Sequence, residues 1–148
     1  MRIICEKRSS IVFGKDCWIK EGTIIYAKNH SNITFGNNTN TGHHTEISSN
    51  NLINIGDFVM MGPYTYITDS NHGYMQKSKP FKLQPMDVGK VIIGNNVWLA
   101  RGVFVLKDSE ISDNTIVAAS SVVTKSFPNN VIIGGILSKI ISNLNRVC

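Results

Sequence analysis

From Ile93 onward an aliphatic residue returns at every sixth position: Ile93, Leu99, Val105, Ile111, Val117 and Val123. The same frame occurs earlier as Phe13, Ile19, Ile25, then as Phe35, Thr41, Ile47, and again as Ile55, Met61, Ile67. Small residues often follow, among them Gly14, Gly36, Gly42, Gly56, Gly62, Gly94, Ala100 and Ala118. A helix repeats every 3.6 residues and a strand every two, so neither produces a step of six punctuated by glycine. A fixed hexapeptide period is the mark of a parallel β-helix. The chain is therefore expected to be all-β, a three-sided coil with eighteen residues per turn. Its aliphatic residues point inward, so that Ile93 stacks on Ile111 and Leu99 on Val117. Small residues are expected where a corner would crowd a Cβ. Asn37-Asn38, Asn50-Asn51 and Asn95-Asn96 are placed at corners, because Asn tolerates left-handed backbone angles. A β-sandwich would instead show irregular strand spacings of about 8–12 residues.

The frame breaks in three places. Thr68 to Ile92 lacks the repeat and contains His72, Gly73, Tyr74, Pro80 and Pro85, so a loop is expected to protrude over about 70–91. Long loops in a compact chain tend to be functional. A smaller slip of two residues falls at Ser48 to Ile53, around Asn50. After Val123 the pattern ends, and apolar residues at helical spacing over Leu137 to Val147 predict a short helix, a cap over about 137–148. Such a cap would cover the exposed backbone edge of the last coil.

At 148 residues the chain reads as one domain, and 42% hydrophobic against 17% charged residues excludes a disordered chain. No apolar run reaches the roughly 20 residues of a membrane span, and Met1 to Arg8 lacks the apolar stretch of a signal peptide. Cys5, Cys17 and Cys148 form no CxxC pair, which argues against a disulfide framework or zinc ribbon and for reduced thiols in the cytoplasm. The net charge of +5 is scattered, with a loose cluster at Lys77, Lys79 and Lys82. That distribution suits a phosphate-bearing ligand and not a nucleic-acid track.

Residues 91 to 135 read VIIGNNVWLARGVFVLKDSEISDNTIVAASSVVTKSFPNNVIIGG. Together with Asn71-His72-Gly73, Val97-Trp98 and Val122-Val123-Thr124-Lys125, this segment resembles the hexapeptide-repeat acyltransferases. The nearest branch is that of the acetyl-CoA-dependent sugar and polysaccharide O-acetyltransferases. The resemblance implies a left-handed coil, a homotrimer, and active sites in clefts covered by the protruding loop. It also implies acetyl-CoA as co-substrate, no metal, and a sugar or polysaccharide acceptor.

His72 occupies the place of the family's catalytic histidine, sixteen residues after the glycine of Ile55-Gly56. A sugar hydroxyl is a poor nucleophile until a base takes its proton, and imidazole titrates in the right range for that work. Asp69 and Asn71 are candidate partners to orient it. His43, His44 and Asn50 are candidates for the acceptor, with Gly42 standing where the galactoside branch carries asparagine. Trp98 is expected to point off the coil, where the family lines its pantetheine tunnel. Ala100, Ala118 and Ala119 would let that arm approach the backbone, and an amide near Ala100 or Arg101 would serve the oxyanion. Thr124, Lys125 and Lys139 resemble residues that meet the coenzyme's pantetheine and phosphates. The usual Gly-Asn-Pro-Ala-Lys ending is replaced here by Gly134-Gly135-Ile136-Leu137-Ser138-Lys139.

The expected reaction is acetyl transfer from acetyl-CoA to a sugar hydroxyl, directly and without an acyl-enzyme. N-acylation of a nucleotide-linked amino sugar and a non-catalytic scaffold are the alternatives. A γ-class carbonic anhydrase is disfavoured, because His43 and His44 point to opposite sides and no histidine follows His72.

Overall fold

In the computed structural model, which describes residues 1–144, the chain winds as a parallel β-helix with three flat sides. The first side stacks Arg2–Cys5, Ile24–Ala27, Glu46–Ser49, Tyr66–Thr68, Phe104–Val105 and Val122–Val123. The second stacks Ser10–Phe13, Asn32–Phe35, Leu52–Ile55, Lys90–Ile93, Ser109–Ile111 and Ser126–Phe127. The third stacks Met60–Met61, Trp98–Leu99, Ile116–Val117 and Val131–Gly134, extended by bridges from Trp18 to Asn40 and Asn40 to Met60. Ile93 pairs with Ile111 and Leu99 with Val117, as the hexapeptide frame predicts.

Inside the coil each strand buries alternate residues, so the core is a set of aliphatic columns. Ile25, Ile47, Ile67, Val105 and Val123 form the first, all fully buried. Stacking like on like packs these columns densely without any layer of opposing secondary structure.

The turns are not all eighteen residues. From the second side to the third, and from the third to the first, the step between inward residues stays at six, as in Ile55, Met61, Ile67 or Ile93, Leu99, Val105. Only the corner between first and second sides varies. There the chain runs from Ile3 to Phe13, Ile25 to Phe35, Ile47 to Ile55, Ile67 to Ile93, Val105 to Ile111 and Val123 to Phe127. The first turns are consequently longer than eighteen and the last is shorter.

The other two corners carry ladders of left-handed residues. One holds Asp16, Asn38, Phe58, Asn96, Asn114 and Asn130, and the next holds Gly22, His44, Tyr64, Gly102 and Ser120. The small residues of the repeat answer to a different need. A Cβ on Gly62 would lie 2.6 Å from the carbonyl carbon of Ala100, so backbones of successive turns touch there.

The tail departs from expectation. Lys139–Asn143 is a strand, antiparallel to Val131–Gly134, in place of the expected helix; the end of the expected cap, including Val147 and Cys148, lies outside the described residues. The edge of the last turn offers free backbone donors and acceptors, and a strand satisfies them where a helix would not. No helix among the described residues is long and apolar enough to cross a membrane.

Candidate active site

The break after Thr68 is a hairpin and not an unstructured loop. Ser70–His72 pairs antiparallel with Met86–Val88, with His72 opposite Met86. The strands approach so closely that a Cβ on Gly73 would collide with the Pro85 carbonyl oxygen, which explains the glycine after the histidine. Beyond the hairpin, Gln84 is buried and staples the loop from within. Its amide donates to the carbonyls of Gln76 (3.1 Å) and Lys79 (2.8 Å), and its oxygen accepts from the Gln76 N–H (3.0 Å). Lys107 ties the returning strand to the coil through Asp87 (3.3 Å) and is itself braced by its chain neighbour Asp108 (2.6 Å). That contact holds the Lys107 ammonium above its ordinary pKa, through Asp108 first, and the Asp108 carboxyl below its own.

His72 is exposed and borders two cavities. One, about 320 Å³, lies against the first side of the coil, bounded by Lys28, Asn50, Tyr66, Ser70 and Met86 as well as His72. The other, about 440 Å³, lies under the loop, between His72, Gly73, Tyr74, Phe81 and Lys82.

The expected partners of His72 divide. Asn71 is exposed beside it and lines the first cavity. Asp69 does not face the histidine. It is fully buried, and its carboxylate accepts from Ser49 Oγ (2.5 Å), the Asn50 N–H (2.8 Å) and the Asn51 N–H (2.9 Å). Its role is to close the corner of the preceding turn. Asn50 lines the cavity, yet its side chain is engaged at both ends: it accepts from Asn29 Nδ2 and donates to Ser70 Oγ, each at 2.6 Å.

A second group of expected residues gathers at the corner between third and first sides. Ala100, Arg101, Ala118 and Ala119 lie there, with Trp98 outward on the adjoining side and 45% exposed. Gly42, Gly62, Ala100 and Ala118 stack as one small-residue column in successive turns, continued by Gly134. The Ala100 N–H is used by Val117 O (2.9 Å) and the Ala118 N–H by Ile133 O (2.8 Å). Those of Arg101 and Ala119 have no backbone acceptor among the described residues. His43 and His44 belong to this corner as well. The His44 ring stacks on Tyr64 at 5.3 Å, and the Arg101 guanidinium lies 4.9 Å over the other ring's centre.

Thr124 and Lys125 follow the last strand of the first side, and Lys139 opens the tail strand. His72 stands in the hairpin that leaves the corner between first and second sides, whereas Trp98 lies on the third side, so the two groups belong to different parts of the coil. Sequence reasoning missed Lys28 and Tyr66, and met Lys82 only as a member of a loose basic cluster. Lys28 sits one turn below Asn50, but only the longer first turns, unknown from the period of six, bring it there.

A scan against models of protein families gives no match. Individual proteins do match. The chain is 32% identical over 144 residues to WbbJ of Escherichia coli K12, named for O-acetyl transfer in lipopolysaccharide biosynthesis, across 93% of this chain and 74% of that protein. It is 29% identical over 146 residues to the galactoside O-acetyltransferase of the same strain, across 95% of this chain and 70% of that protein. A galactoside acetyltransferase solved in complex with coenzyme A matches with a TM-score of 0.74 at 26% identity, over 90% of this chain and 65% of that one. The hexapeptide-repeat acetyltransferase VCA0836 of Vibrio cholerae has the same fold, with a TM-score of 0.78 at 21% identity over 90% of this chain and 73% of that one. The coil is thus left-handed, against the usual hand of parallel crossovers. With its period of six, its protruding hairpin and these relatives, the chain belongs to the hexapeptide-repeat acyltransferases, in the branch of the sugar and polysaccharide O-acetyltransferases.

Proposed function

We propose that this enzyme transfers an acetyl group from acetyl-CoA to a hydroxyl of a sugar or polysaccharide unit, with His72 as general base and no covalent intermediate. The observation that carries this reading is the placement of His72. It is an exposed imidazole, fixed at the base of a stapled hairpin and bordering two cavities. A free ring nitrogen takes the acceptor's proton as its oxygen attacks the thioester carbonyl. The Arg101 N–H, without a backbone acceptor, suits the oxyanion, and collapse of the tetrahedral intermediate expels coenzyme A thiolate, which takes up the proton.

Direct transfer is favoured because nothing near His72 is a convincing nucleophile. Ser70 is buried with its hydroxyl bonded to Asn50, and Thr68 is buried too. Cys5 and Cys17 lie in the first turn, and Cys148 is outside the described residues.

The two residue groups meet in this reading only between subunits. A homotrimer would set the Trp98 and Ala100 corner of one copy against His72 of the next, and the apolar residues exposed on the first and third sides support such contacts. They include Trp18, Ile24, Met60, Trp98 and Phe104. Pantetheine would run along the small-residue column, with Thr124, Lys125 and Lys139 toward its phosphates. We place the enzyme in the cytoplasm, where acetyl-CoA is available.

Initial rates with acetyl-CoA and a sugar acceptor are expected to give intersecting lines. His72→Ala should lower kcat by about 10²–10⁴ while coenzyme A still raises Tm. Parallel lines, or a His72→Ala enzyme keeping a tenth of its kcat, would overturn the mechanism.

A further inference from the structure

We propose that the acceptor is an anionic saccharide whose carboxylate or phosphate is held by Lys28 in the cleft beside His72; this deepens the reading of His72 as base and rests on it. The cleft wall is polar, with Ser48, Asn50, Thr68 and Ser70, and none of its lining residues is an acid. Lys28 enters it half-buried from the corner of an early turn, its backbone N–H held by the Ser49 carbonyl at 3.1 Å. Its ammonium lies 4.8 Å from the centre of the Tyr26 ring and joins no ion pair among the described residues.

The carboxylates nearby are already committed. Asp69 is turned inward onto three donors of its own coil. Glu6, close enough to feel the charge of Lys28, accepts from Tyr26 Oη at 2.7 Å and from the Asn29 N–H at 3.1 Å. Asp87 pairs with Lys107. The second cavity repeats the pattern, since Lys82 is the one charged residue beside His72, Tyr74 and Phe81.

Every fixed charge lining the space around the base is therefore positive. A neutral sugar would gain nothing from this. An acidic one would gain a charge-assisted hydrogen bond in a partly desolvated cleft, where such bonds are strongest. Lys28 is the specific reader because the coil wall holds it, whereas Lys82 stands exposed on the loop.

The test measures thiol release from acetyl-CoA with matched acceptors: glucose, glucuronate and glucose 6-phosphate. The readout is the ratio of kcat/KM for each anionic acceptor to that for glucose, which cancels any loss common to both. The wild-type ratio should exceed ten for at least one anion and should fall as salt rises from 0.05 to 0.5 M. The uronate and phosphate arms show which anion is read. Lys28→Gln should reduce the ratio about tenfold, Lys28→Glu should bring it below one, and Lys28→Arg should restore most of it. A wild-type ratio near one, or a Lys28→Gln enzyme with an unchanged ratio, would overturn the proposal, and the wild-type ratio decides alone if the variants fail to fold. Failure of the base reading looks different: His72→Ala would then stay active toward every acceptor.

Discussion

At the scale of single residues, Asp69 and His72 show how one turn of chain separates structure from chemistry. Asp69→Ala would leave the amides of Asn50 and Asn51 and the hydroxyl of Ser49 without their buried acceptor. The expected cost is about 1–3 kcal/mol of folding stability, read by urea unfolding, with kcat of the folded enzyme changed only a few-fold. A loss of kcat near that of His72→Ala, without loss of stability, would restore Asp69 as an orienting partner. The position of His72 was legible in the sequence because it falls where the period of six stops. The direction of the Asp69 side chain was not. It depends on how many residues the corner holds, and at this corner the number differs from turn to turn.

At the scale of elements, the ladders of left-handed corners bear weight that a strand count misses. Asn114 sits at φ 56° and accepts from Asn96 Nδ2 at 2.6 Å. Asn114→Ala is expected to cost about 1–2 kcal/mol and Asn114→Gly distinctly less, since glycine adopts that angle freely; thermal melts of the pair separate the backbone term from the lost bond. The hairpin is a second case. Because the Asp108 pKa is depressed, its share of the Lys107 clamp is complete above the ordinary carboxylate range and lost as pH falls through the lowered value. Because the Lys107 pKa is raised, its share is complete below the ordinary lysine range and lost only as pH rises through the raised value. Protease cleavage within 74–83 should therefore stay slow from about pH 5 to 9 and quicken modestly below about pH 4, and Lys107→Met should raise it only a few-fold, as befits a largely exposed ion pair beside the Gln84 staple. The parallel coils were legible from spacing alone. The tail was not: Leu137, Ile140, Ile141 and Leu144 fall at helical intervals, but the open edge of Val131–Gly134 recruits Ile140 and Ile141 into a strand, leaving Leu137 in the turn before it and Leu144 just after it.

At the scale of the whole molecule, the exposed apolar residues of two sides and the separation of His72 from Trp98 both ask for further copies of the chain. Light scattering is expected to give three times the chain mass at micromolar concentration, and a stable monomer would remove the basis for a shared site. Coenzyme A at a hundred times its Kd should stabilise the fold by about 2.7 kcal/mol. Ala118→Trp, which fills the small-residue column, should abolish that shift. The expectation of a trimer rests on resemblance alone, since a period describes one coil and not its neighbours. The unequal corner carries a last consequence. Two edges of this prism keep a constant pitch while the third accepts four residues in one turn and twenty-six in another, with the core columns undisturbed. The protruding segment is thus a removable cartridge in a standard chassis. Exchanging residues 74–83 for a segment of another length, with His72 and Lys28 left in place, is expected to reshape the space over the proposed base while the core columns keep their form, so that space can diversify without refolding the coil.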